Sequence, residues 1–121
     1  MTTPNMFIVY VSDAAASARF YGDLFEMTPV FESPRFIAFD LGGGIQLAVW
    51  SGVRDELSPA VPRTSEICLA LPGGPEQIDN RFREWSGKGV EVVAKPYDEV
   101  FGRTFLVADP DGNLIRVAPV D

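Results

Sequence analysis

An α+β fold built from two successive βαβββ modules is what this sequence predicts, on three observations. Short β-branched and aromatic runs recur along the chain, each half holds one amphipathic stretch of helical period, and the order strand, helix, three strands occurs twice. Length and composition agree with this. At 121 residues, 46% apolar and 22% charged, the chain has the size and balance of one globular domain spanning residues 1–121.

Module one covers about 6–50. Residues 6–11, MFIVYV, read as a strand that ends at Ser12 and Asp13, residue types whose side chains accept from the unpaired amides of a helix's first turn. A helix is predicted from Ala14 to about Phe25, where Ala16, Phe20 and Leu24 recur every four residues with Tyr21 and Phe25 beside them, giving one apolar face to set against a sheet. Pro29 is expected to stop it. Extended runs follow at about 29–33, at 35–41 (RFIAFDL) and at 45–50 (IQLAVW), the last two joined through Gly42, Gly43 and Gly44.

Residues 51–64, SGVRDELSPAVPRT, show neither period and carry Pro59 and Pro62, so they read as a connection. Module two covers about 65–118 and repeats the order. SEICLAL at 65–71 is a strand, PGGPEQ opens a helix with Ile78, Phe82 and Trp85 on one face, and Gly87 and Gly89 close it. Extended runs follow at about 90–93 (VEVV), 103–108 (RTFLVA) and 113–118 (NLIRVA). Asp109, Pro110, Asp111 and Gly112 join the last two as a tight turn, with Pro second and Gly fourth.

A formal net charge of −7 sets the chain against phosphate backbones and anionic membrane surfaces, so neither nucleic acid nor a membrane is an expected partner. No apolar run has the length of a membrane-spanning helix, and the opening MTTPNMFIVYV has neither a basic leader nor an apolar stretch of export length; a cytoplasmic protein is expected. The single cysteine, Cys68, cannot form an internal disulfide and, within ICLAL, reads as a buried, inert thiol.

The pair VSDAAASARFYGDLF and GRTFLVADPDGNLIRV, in this order and at this separation, resembles the opening and closing motifs of the vicinal-oxygen-chelate superfamily, which holds the glyoxalase, bleomycin-resistance and extradiol-dioxygenase proteins. The resemblance spans nearly the whole chain. It implies two βαβββ modules that curl mixed sheets around one cleft, and a homodimer, which the exposed edges of short sheets also invite. Because that fold serves metal lyases, isomerases, dioxygenases and proteins that sequester a drug, the site must decide the function. In metal-dependent members each module gives one ligand near the start of its first strand and one from its last, drawn from His, Glu and Gln. The matching positions here are Met6, Gln46, Glu66 and Arg116. With no histidine in the chain and a fixed positive charge at one ligand position, neither a metal nor another cofactor is expected.

Strand alternation selects what shares a face with these four: Met6, Ile8 and Tyr10; Gln46, Ala48 and Trp50; Glu66, Cys68 and Ala70; Leu114, Arg116 and Ala118. The opposite faces carry Phe7, Val9, Val11, Ile67, Leu69, Leu71, Ile115 and Val117, which suit a core beneath helices. The expected ligand-binding set is Met6, Ile8, Tyr10, Gln46, Ala48, Trp50, Glu66, Cys68 and Arg116, with Phe101 added from PYDEVFGRTF. That segment, which also holds Tyr97 and Arg103, reads as either a lid over the cleft or a plain surface loop. Tyr10, Trp50, Glu66 and Arg116 are expected to face one solvent-reachable cavity between the modules.

Plainer readings stand beside these. Glu66 and Arg116 pair as structural filler in place of a metal, Trp50 is a core or interface aromatic, and Trp85 is core. Asp13 is a helix cap, and Asp109 and Asp111 are turn-formers. Two functions follow. The first is a metal-free small-molecule-binding protein of the glyoxalase/bleomycin-resistance type that holds an aromatic or cationic compound without altering it. The alternative is a lyase, isomerase or dioxygenase of the same superfamily, with Glu66 as general base and Arg116 as oxyanion stabiliser, or with an atypical metal site.

Overall fold

The computed structural model describes residues 2–52 and 62–120, so most of the connection expected at 51–64 lies outside the described residues. Two units divide the chain, Met1–Pro62 and Arg63–Asp121, and each holds one βαβββ module.

In module one the order is β1 (Met6–Tyr10), α1 (Ala14–Phe25), β2 (Pro29–Glu32), β3 (Phe36–Gly42) and β4 (Ile45–Trp50). The sheet order is β1-β4-β3-β2, with β1 parallel to β4 and the remaining pairs antiparallel. Asp13 caps α1 as its residue type suggests, its Oδ1 accepting from the Ala16 amide at 3.1 Å. The buried face of α1 differs from the expected one. Ala14, Ser17, Ala18, Tyr21 and Leu24 are buried, whereas Ala16 and Phe20 are only partly covered. Small residues, Ala14, Ser17 and Ala18, line the first two turns of that buried side, with Tyr21 and Leu24 as its larger members, so the large apolar side chains alone do not mark it.

Nor does Pro29 end the helix. The chain turns at Glu26, which takes a left-handed conformation (φ 54°), and the amides of Glu26 and Met27 both reach the Gly22 carbonyl. A Cβ at position 22 would meet the Met27 carbonyl oxygen at 2.8 Å, so only glycine permits this close return. Pro29 instead opens β2, an edge strand that tolerates a missing amide. Helix α1 packs on β3 and β4, over Phe39, Leu47, Ile37 and Val49. β1 lies at the other edge and is exposed on both faces, Phe7 at 54% and Ile8 at 47%.

Module two has β5 (Glu66–Leu71), α2 (Pro75–Gly87), β6 (Glu91–Glu99), β7 (Gly102–Ala108) and β8 (Leu114–Pro119), in the sheet order β5-β8-β7-β6. Again the first strand runs parallel to the last. Pro75 starts α2, where its lack of an amide does no harm, and Ile78 and Trp85 are buried beneath it. Phe105 lies edge-on to both Phe82 (5.3 Å between centroids) and Trp85 (5.7 Å). The turn after β7 is organised by Asp109. Its Oδ1 accepts from the amides of Asp111 and Asn113, and its Oδ2 from the Asn113 side chain, each at 2.8 Å, while the Gly112 amide reaches the Asp109 carbonyl.

One expectation in this module is corrected. The strand read at 90–93 runs on to Glu99, so Tyr97 and Arg103 lie on paired strands (Tyr97↔Thr104, Asp98↔Arg103), and only Val100 and Phe101 form the connecting turn. Pro96 lies inside this strand. As the sheet's edge strand, β6 absorbs it through register shifts on either side of Ala94. Arg103 anchors the hairpin to α2 through Asp79 at 3.0 Å.

Candidate functional site

The face of module one away from α1 is built by pairing register. Tyr10 lies opposite Trp50, Ile8 opposite Ala48 and Met6 opposite Gln46, so all six share a face. Tyr10 and Trp50 meet edge to face, with centroids 5.6 Å apart and planes at 63°. Tyr10, Ile8 and Met6 are exposed, Trp50 and Gln46 are half-buried, and Ala48 is buried and presents no surface. Two rings absent from the expected set extend this face. Phe36 is the β3 partner of Trp50, and Phe31, paired with Ala38 on β2, lies 6.2 Å from Phe36. An aromatic row, Tyr10, Trp50, Phe36 and Phe31, therefore crosses all four strands. Gly52 lies against the indole, since a Cβ there would come within 2.9 Å of Trp50 Cε2. The signals for Phe31 and Phe36 were present as β-run aromatics, but the bulge between Pro29 and Phe31 hid which face Phe31 takes.

On module two, Arg116 organises a polar cluster. Its Nε donates to Glu66 Oε1 at 2.8 Å and its Nη2 to Glu66 Oε2 at 2.9 Å, a two-pronged ion pair. Its Nη1 donates to the Tyr97 hydroxyl and to Thr104 Oγ1, both at 3.2 Å, and the buried Thr104 hydroxyl donates to the Val117 carbonyl at 2.7 Å. Hydrogen bonding from Arg116 holds the Glu66 carboxyl below its ordinary range, outweighing partial burial. The same bond, with that to Tyr97, raises Arg116 further above an already high value. Cys68, beside Arg116 in the β5–β8 register, is exposed and not buried as expected; partial desolvation and then the Glu66 charge raise its pKa, which keeps it a thiol. Phe101 lies apart from this cluster in the β6–β7 turn and is 49% exposed.

The residues at the family's four ligand positions do not fit a divalent metal. They supply a thioether, a neutral amide, a carboxylate whose two oxygens are both engaged by a guanidinium, and that guanidinium itself. Among the described residues no three His, Cys, Asp or Glu side chains gather into a metal-holding group. Nor is any helix among them long and apolar enough to cross a membrane.

Two βαβββ modules, each with one helix packed on a four-stranded sheet, define a fold class, and the sequence places the chain within a family of it. The chain belongs to the glyoxalase/bleomycin resistance protein/dioxygenase superfamily, whose family model matches residues 3–117. It is 45% identical over 122 residues to the phenazine antibiotic resistance protein EhpR of Enterobacter agglomerans, covering 98% of this chain and 93% of that one. A solution NMR structure of an Agrobacterium tumefaciens protein is 32% identical with a TM-score of 0.85, covering 100% of this chain and 99% of the other. The crystal structure of a glyoxalase/bleomycin resistance protein/dioxygenase from Nocardioides shares the fold, with a TM-score of 0.82 at 24% identity over 100% of this chain and 85% of that one.

Proposed function

We propose that this protein binds a planar aromatic small molecule, a phenazine or a compound of like shape, and confers resistance by holding it without altering it. The observation that carries this reading is the aromatic row of module one, because a flat ring system gains most from stacking on rings that are at least partly exposed and already fixed by strand pairing. The 45% identity to a phenazine antibiotic resistance protein supports the same class of ligand. The alternative, catalysis with Glu66 as base, has less support. A carboxylate bonded at both oxygens and held below its ordinary pKa takes up a proton poorly near neutral pH. We further propose a cytoplasmic homodimer, supported by the exposed apolar edge strand β1.

Tryptophan fluorescence tests the reading directly, since Trp50 lies on the proposed face and Trp85 is buried in the core. Titration with phenazine is expected to quench emission saturably in the wild-type chain and much less in Trp50→Phe, with phenazine recovered unchanged by chromatography. Absence of saturable quenching would count against the ligand class, and conversion of the phenazine against sequestration.

A further inference from the structure

Tyr97 owes its direction to the bulge before it. On β7, Leu106 and Thr104 are two residues apart and share a face, while their β6 partners Ala94 and Tyr97 are three apart. In a regular strand three residues would reverse the face. The register shift across Lys95 and Pro96 absorbs the extra residue, so Tyr97 returns to the face of Arg116, which is itself the β8 partner of Leu106. An edge strand is where such a bulge, and a proline without an amide, is tolerated.

Arg116 then dictates where the Tyr97 proton goes. A guanidinium only donates, so at both Tyr97 and Thr104 the hydroxyl oxygen accepts from Nη1. Thr104 gives its own proton to the Val117 carbonyl. Among the described residues no acceptor takes the proton of Tyr97, which is therefore turned away from Arg116 and toward whatever approaches this face. Glu66 grips the guanidinium by two bonds and keeps it from swinging away.

We propose that Tyr97 is a ligand-reading donor on the face of module two: it selects small molecules that present a hydrogen-bond acceptor there, such as a ring nitrogen or a carbonyl oxygen, over isosteres that carry none. Arg116 and Glu66 are its positioning residues. The inference rests on the reading of the chain as a binder of planar small molecules and adds a chemical requirement to it.

The test uses phenazine and anthracene, which share a shape and differ in two ring nitrogens, with affinities read by fluorescence on the full chain. Tyr97→Phe is expected to weaken phenazine binding by about five- to tenfold, the range of one net hydrogen bond, and to leave anthracene binding as it was. A merely structural role would move both ligands alike, and that result, or no change with either, overturns the proposal. Arg116→Lys keeps a charge but loses the fork, and is expected to erode the same discrimination; unchanged discrimination would remove the positioning role. If wild-type protein fails to bind phenazine at all, the binding reading itself falls and takes this inference with it. If it binds with full affinity in Tyr97→Phe, only the inference falls.

Discussion

Module one turns a row of rings outward, Tyr10, Trp50, Phe36 and Phe31, while module two turns outward a guanidinium gripped by a carboxylate and two hydroxyls. Beneath these faces the two sheets have the same strand order, the same parallel pairing of first and last strands, and one helix each. Backbone pairing therefore sets the positions and leaves their chemistry open. Stacking on rings is non-directional and scales with area, whereas a bonded fork has a direction and discriminates by geometry. Each module is suited to one of these tasks.

The two tryptophans give the strongest way to break that comparison. Trp85 is 1% exposed against Phe105, so Trp85→Ala is expected to cost about 3–5 kcal/mol in urea denaturation, while Trp50→Ala costs about 1 kcal/mol or less. Comparable losses at the two sites would make Trp50 a core residue and remove the outward face. Next in size is the turn after β7. Asp109→Ala strips partners from two amides and a side-chain amide in a buried setting, and a loss of about 2–3 kcal/mol is expected by the same assay. A change below about 0.5 kcal/mol would mean that Gly112 and Pro110 hold the turn unaided.

The polar cluster should contribute less, and with a pH signature. Because Arg116 lowers the folded-state pKa of Glu66 from 4.5, the stabilisation is fully present above the unfolded-state value and fades as pH falls through the folded one. Glu66→Gln is expected to cost no more than about 1 kcal/mol at pH 7, since the pair is partly exposed, and the gap from wild type should close as pH falls below the unfolded-state value and through the lowered folded one. A gap that widened on acidification would contradict the sign of the shift. Smallest of all is the effect of chelation. EDTA should leave the melting temperature unchanged, and a drop of several degrees would reveal a metal that the side chains at the four ligand positions are poorly made to hold.

How far the sequence went is best seen strand by strand. IQLAVW marked β4 without error, because this central strand is apolar at every position but Gln46 and is bounded by glycine and a polar residue. The Ser12–Asp13 cap and the DPDG turn were equally plain, since each rests on local side-chain chemistry. What parity could not reach were the bulges. The shift at Pro29/Phe31 concealed the fourth ring of the row, and those around Ala94 concealed both the length of β6 and the direction of Tyr97. Burial was legible only as an average. The buried side of α1 includes Ala14, Ser17 and Ala18, small residues without hydrophobic bulk. Edge strand β1 stays exposed on both faces although its residues are as apolar as those of any core strand.

The parallel pairing of β1 with β4 also carries a kinetic consequence. Met6 meets Gln46, and in the second module Glu66 meets Leu114, so in each module the first strand synthesised waits for the last. The hairpins β3–β4 and β7–β8 close short loops and can form early, whereas β1 and β5 must close a loop that contains a helix and two further strands. Every strand pair of module one lies within 6–50, which lets that sheet be completed before the second emerges from the ribosome. Until β4 is made, the apolar β1 has no strand partner. Destabilising the β3–β4 hairpin should therefore slow folding, whereas weakening β1 should chiefly speed its release.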